Sequence, residues 1–275
     1  MIRVELVKLI RSRRTWVTIL LIDALPALVA VLLAVTDLGP RPGTGPAFLS
    51  AVLTDGTLFP LAAMGIVLPL FLPIAVAITA GESIAGEGQQ GTLRYMLVRP
   101  VGRTRLLGAK LVAVMAFVVL TVLVVAATAY VLGVVLLGND HVSAGTATGA
   151  VSVSGSPMST PELVGRTFLA LAYAMLCMLG VAAVALFLST VTESPLGAAL
   201  GTMALLIAST LLLTLDAADP IQPYLPTRYW LAFVDLFRDP ILWREVVRGV
   251  LLQAGYVLVF LGAGWASFTT KDVTV

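Results

Sequence analysis

The chain has 275 residues, 59% of them apolar and 12% charged, with a mean hydropathy of +1.02. A soluble domain carries about a quarter of its residues charged, so this composition excludes a soluble fold and points to a membrane protein. One cysteine, Cys177, and one histidine, His141, exclude a disulfide framework or a Cys/His metal cluster within one copy, and a net charge of +2 gives no reason to expect nucleic acid.

The chain opens with an amphipathic stretch. Ile2, Leu6, Leu9 and Ile10 form one stripe with Glu5, Lys8 and Arg11 opposite, which predicts a helix lying on the inner leaflet. Crossing a hydrocarbon layer takes roughly 20 apolar residues in a helix, and the first such run is 16–35. It follows Arg3, Lys8, Arg11, Arg13 and Arg14, so the positive-inside rule places the N-terminus in the cytoplasm. A cleaved signal peptide is the rival reading. Its apolar core is usually about 7–15 residues, whereas this run is longer, holds Asp23 and Pro26, and lacks a clear A-x-A site.

Residues 36–57 read as an outer loop. The second run, 58–80, contains Pro60, Pro69 and Pro73, each able to kink a helix. A polar stretch from Gly81 to Lys110 follows, with Arg94, Arg99, Arg103 and Arg105, and reads as an inner loop. The third span is 111–137. Residues 138–161 carry neither Lys nor Arg, as an outer loop should, and the fourth span is 163–191.

At the tight turn Thr192-Glu193-Ser194-Pro195, Ser194 suits an N-cap and Pro195 the first helical position of the fifth span, 195–215. The sixth span, 246–268, precedes a short tail in the cytoplasm. On this topology eleven of the 17 basic residues lie inside, and four of the six outside belong to the segment 216–248, where Asp216, Asp219, Asp235, Asp239 and Glu245 largely neutralise them.

Several residues stand out. In 222–243, Trp230, Phe233, Val234 and Phe237 recur at helical spacing beside Tyr229, predicting an outer interfacial or re-entrant helix that either anchors the loop or guides substrate. Asp23, mid-span, should face protein or water, as part of a translocation path with Pro69 and Pro73 or as a polar contact between helices. Arg166 lies one turn after Glu162 and is expected to snorkel outward as a structural pair. Gly197 and Gly201 form a GxxxG that would let two helices approach closely, as a dimer contact or as no more than the glycines common at a span's start. The stretch Gly102 to Lys110 mimics a phosphate loop with the wrong spacing, and there is no H-E-x-x-H or G-x-S-x-G, so no enzymatic activity is expected on this chain.

The most informative stretch is 81–110. Glu82 and Glu87 open it, then Thr92 to Val98 form a short helical piece, Arg94 among them, stopped by Pro100 and followed by a basic run. Gly86, Glu87, Gly91, Thr92 and Leu93, then Arg99, Pro100, Val101, Arg103 and Lys110, match G-E-x-x-x-G-T-L and R-P-V-x-R with a Lys at the next span. In this the chain resembles the permease subunits of ABC-2 type transporters. Leu225 to Trp230, Asp235 to Phe237, and the ending Phe268 to Asp272 are similar to the family's last third, so the resemblance covers the whole chain.

The resemblance implies an all-α integral membrane protein, one domain over 1–275. It would have six spans, an N-terminal amphipathic helix, a cytoplasmic coupling helix between spans two and three, and both termini cytoplasmic. It also implies a permease without its own motor. Two copies of a separate cassette ATPase would bind ATP and Mg, a second permease copy would complete the complex in the cell membrane, and 81–110 would be the coupling element. Without the resemblance that stretch reads as an ordinary positive-inside loop. The few charges within spans suit an amphipathic or hydrophobic exported compound such as a drug, antibiotic, peptide or lipid. The rivals are an ion-coupled secondary transporter, for which Asp23 and the proline-rich second span speak, and a membrane scaffold or sensor that recruits an ATPase.

Overall fold

The computed structural model describes residues 2–36, 56–89, 102–137, 152–154, 156 and 158–270, and among these there are helices and no strand. In chain order the α-helices are α1 (Ile2–Arg11), α2 (Arg13–Val35), α3 (Phe59–Val67), α4 (Phe71–Gln89), α5 (Arg103–Leu132), α6 (Thr160–Val191), α7 (Pro195–Leu212) and α8 (Trp243–Thr270). A π turn, Gly133–Leu137, continues α5, and short 3-10 pieces cover 56–58, 216–218, 222–224 and 230–237. Helices α2, α5, α6, α7 and α8 are each long and apolar enough to cross a membrane; α3 and α4 make a sixth crossing if taken as one broken span. Among the described residues the fold is all-helical, with the long apolar helices of a membrane protein.

The break in the second span has a local cause. Pro69 and Pro73 each lack an amide hydrogen, so the ladder loses two donors one turn apart. The backbone bonds Leu68 N to Met64 O (2.9 Å) and Ile74 N to Leu70 O (3.2 Å) flank the gap, and the two limbs meet at a 57° bend. Pro69 is exposed at this elbow, and Pro73 is buried in the first turn of α4.

Helix α6 is the most enclosed span and forms the centre, with α4, α7 and α8 packed around it and α5 joining it to α2 and α3. The α6–α8 contact relies on glycine. At Gly180 a Cβ would strike the end of the Gln253 side chain, which would have to move, and at Gly249 it would strike the Tyr173 hydroxyl and lie 2.9 Å from Tyr229 Cβ. At the expected fifth-span start, Ser194 Oγ accepts from Gly197 N at 3.1 Å with Pro195 beginning α7, as the sequence predicts.

Three expectations need correction. The polar stretch 81–110 is not a loop at its ends, because α4 runs on to Gln89 and α5 begins at Arg103. Hydropathy falls there, but Ser83, Ala85, Glu87 and Gln89 tolerate a helix, so leaving lipid does not end it. Glu82, Gly86 and Glu87 are therefore on α4, and Arg103 and Lys110 on α5. Gly91, Thr92, Leu93, Arg94, Arg99 and Pro100, with the expected coupling helix, lie outside the described residues.

The expected interfacial helix at 222–243 is instead a folded segment whose eight-residue 3-10 piece packs on α6 and α8. Tyr229, Trp230, Phe233 and Phe237 are buried in it. Burial of Trp230, Phe233 and Leu236 repeats every three residues, which suits a 3-10 turn. Arg166, finally, does not snorkel outward; it is 8% exposed and turned into that segment.

Candidate functional site

At the end of the bundle where α1 lies, the close of α4 and the start of α5 bring their charges together. Lys110, two turns into α5 and 3% exposed, forms an ion pair with Glu87 of α4 and another, at 3.0 Å, with Glu5 of α1. Lys8 adds a longer contact to Glu87 at 3.4 Å. Burying an ammonium group is costly unless carboxylates pair with it, and two of them do. The sequence placed Glu5 on the solvent side of α1, whereas the structure turns it inward, because its partner comes from 105 residues along the chain.

These residues line a cleft of about 910 Å³ between α1, α2, α4, α5 and the start of α7. Across its mouth Arg14 makes two 2.6 Å bonds to Glu82, a bidentate pair exposed to solvent. Thr15, Thr18, Thr79 and Ser83 give the walls hydroxyls, and Val114, Phe117 and Ala199 an apolar depth. Gly86 lines the same cleft, its Cα side facing Pro195 of α7. Arg103 stands apart. Its Nη1 donates to the carbonyls of Phe268 (3.1 Å) and Thr269 (2.9 Å), closing the last turn of α8 with a cation where carbonyls lack intrahelical partners.

Of the residues expected to couple to a motor, the structure thus brings Glu82, Gly86, Glu87 and Lys110 to one cleft and sets the Arg103 side chain against the last turn of α8. Asp23 is buried on α2, does not line the cleft, and has an Oδ1 without a hydrogen-bond partner among the described residues. Neither Pro69 nor Pro73 lines the cleft; both serve the elbow. Gly197 and Gly201 lie on the exposed side of α7; Gly201 approaches Leu188 of α6 within the chain.

The opposite end of the bundle holds residues whose roles the sequence did not reveal. The 216–242 segment presents backbone carbonyls to the spans, and span side chains reach out to them. Arg166 Nη1 donates to Leu236 O (3.0 Å) and Arg238 O (2.8 Å), while its Nη2 pairs with Glu162. Tyr173 donates to Tyr229 O at 2.7 Å, Gln253 to Pro226 O at 2.8 Å and Tyr256 to Tyr224 O at 3.0 Å. Irregular backbone beside a bilayer needs such partners. Polar residues inside apolar runs (Gln253, Tyr173, Arg166) were the signal that could have found them.

Among the described residues no group of His, Cys, Asp and Glu is arranged to hold a metal ion. No curated protein matches the chain. The family described as "Protein of unknown function (DUF2705)" matches residues 27–274, nearly the whole length, and the chain belongs to that family.

Proposed function

We propose that this chain is the membrane-spanning permease subunit of an ABC-2 type exporter, with both termini in the cytoplasm. It would move an amphipathic or hydrophobic compound using ATP hydrolysed, with Mg, on a separate cassette ATPase present in two copies, and it would act with a second permease copy. The supporting observation is the Lys110 cluster. It ties α1 to the close of α4 and the start of α5, the two helix ends that flank residues 90–102. A push on that connection from closing ATPase domains reaches three helices at once instead of one flexible loop. Arg103 extends the same connection to α8.

The test is co-expression with candidate cassette ATPases and reconstitution in nanodiscs, comparing the wild type with a Glu87→Gln, Arg103→Gln variant. An intact complex with ATP turnover lowered in the variant supports the reading. No association with any cassette ATPase, together with uptake driven by an ion gradient in liposomes holding this chain alone, overturns it in favour of a secondary transporter using Asp23. Association without any transport favours the scaffold.

A further inference from the structure

At the end of the bundle away from α1, a groove of about 640 Å³ runs between the 216–242 segment and the first turns of α8. Arg228 enters it from the segment, and Arg248 from the helix. One carboxylate lines it, Glu245, 3.2 Å from Arg248 Nη1; both side chains are well exposed, so this pair is held loosely. A guanidinium carries five donors, and Glu245 takes one of those on Arg248. No carboxylate among the described residues pairs with Arg228, and the groove keeps one net positive charge. Tyr229 is buried and lines the groove, and its hydroxyl makes no hydrogen bond to a described residue.

The surroundings decide between a dissolved anion and a lipid. Leu251, 68% exposed, and Tyr224, 71% exposed, form the groove's outward rim. Helix α8 is a candidate span with most of its surface turned away from the protein, so its first turns sit at the membrane–water boundary. Arginines at the level of phosphates, tyrosines beside them and leucines at the level of acyl chains reproduce the layers of a leaflet. We infer that this groove binds the headgroup of an anionic phospholipid in the adjoining leaflet, with Arg228 and Arg248 on the phosphate and Leu251 against the chains. Planar guanidinium groups suit phosphate oxygens geometrically as well as by charge.

The test uses the full chain in nanodiscs of phosphatidylglycerol and phosphatidylcholine in equal amounts, with retained lipid measured by native mass spectrometry. Phosphatidylglycerol should be retained preferentially, and Arg228→Gln, Arg248→Gln should lower that preference about tenfold, a loss of about 1.4 kcal/mol. The exposed single variant Arg228→Gln should show a partial loss and keep the wild-type melting temperature in phosphatidylcholine. Arg238→Gln removes an arginine paired with Asp235 at 2.9 Å, outside the groove, and should leave the preference intact. No preference in the wild type overturns the assignment, as does an equal loss in Arg238→Gln, which would mean general surface charge. Stabilisation by glycerol 3-phosphate equal to that by the lipid also overturns it, in favour of a soluble phosphate ester.

Discussion

Lys110 Nζ lies 3.0 Å from Glu5 Oε1, so a residue in the third span's helix holds the helix that begins the chain. Removing a member of a buried ion cluster leaves the others uncompensated and costs about 3–5 kcal/mol. Lys110→Met takes the buried cation away from Glu5 and Glu87, and it should lower the melting temperature in detergent and open α1 to proteolysis. Lys110→Met with Glu5→Gln and Glu87→Gln removes both carboxylates along with the cation and should recover most of the loss. An unchanged melting temperature in the single variant would show that the cluster holds nothing.

The Arg14–Glu82 pair has shorter bonds than Lys110–Glu5 yet should matter less. Its side chains are 64% and 38% exposed, and water competes for both. Glu82→Gln should cost under about 1 kcal/mol and leave the melting temperature almost unmoved, measured beside Lys110→Met. Equal losses in the two variants would refute the distinction between buried and exposed pairs.

The sequence made the long apolar helices legible, because apolar runs are local signals. It also revealed the N-cap at Ser194, because capping depends on adjacent residues. It did not show that α4 continues through Glu82 and Glu87. Hydropathy reports what a helix touches, and these residues touch other helices instead of lipid. Glu5 was misplaced for the same reason: the stripe of Ile2, Leu6 and Leu9 is legible, but a partner distant in sequence decides which carboxylate turns inward. The aromatic spacing of Trp230 to Phe237 suggested an exposed amphipathic helix, and only the carbonyl partners on α6 and α8 show why it folds inward.

Arg166 anchors two carbonyls and one carboxylate, so Arg166→Met should loosen the 216–242 segment. Charged hydrogen bonds contribute about 1.5–3 kcal/mol each. The expected result is faster cleavage of that segment by added protease, with the spans still protected. Arg166→Lys keeps the charge but lacks the planar fork that holds the two carbonyls through Nη1 and Glu162 through Nη2 at once, so it should restore protection only in part. Full protection in both variants would sink the anchoring role.

Gly249→Ala places a methyl against the Tyr173 hydroxyl and 2.9 Å from Tyr229 Cβ, and it should displace the Tyr173–Tyr229 hydrogen bond. Overpacking of this kind costs about 1–3 kcal/mol. Gly255→Ala, on the same helix, meets open space, and it should be neutral or stabilise by about 0.4–1 kcal/mol. Thermal unfolding of the two variants side by side measures the contrast, and equal behaviour would rule out tight packing as the reason for glycine at 249.

The elbow at Leu68, Pro69 and Leu70 gives span two different neighbours at different depths. Its first limb, α3, lies against α2 and α5, and its second, α4, against α6 and α7. No lengthwise cut can part the helices around α2 and α5 from those around α6 without severing this span. Shear between the two groups therefore loads one proline-broken turn.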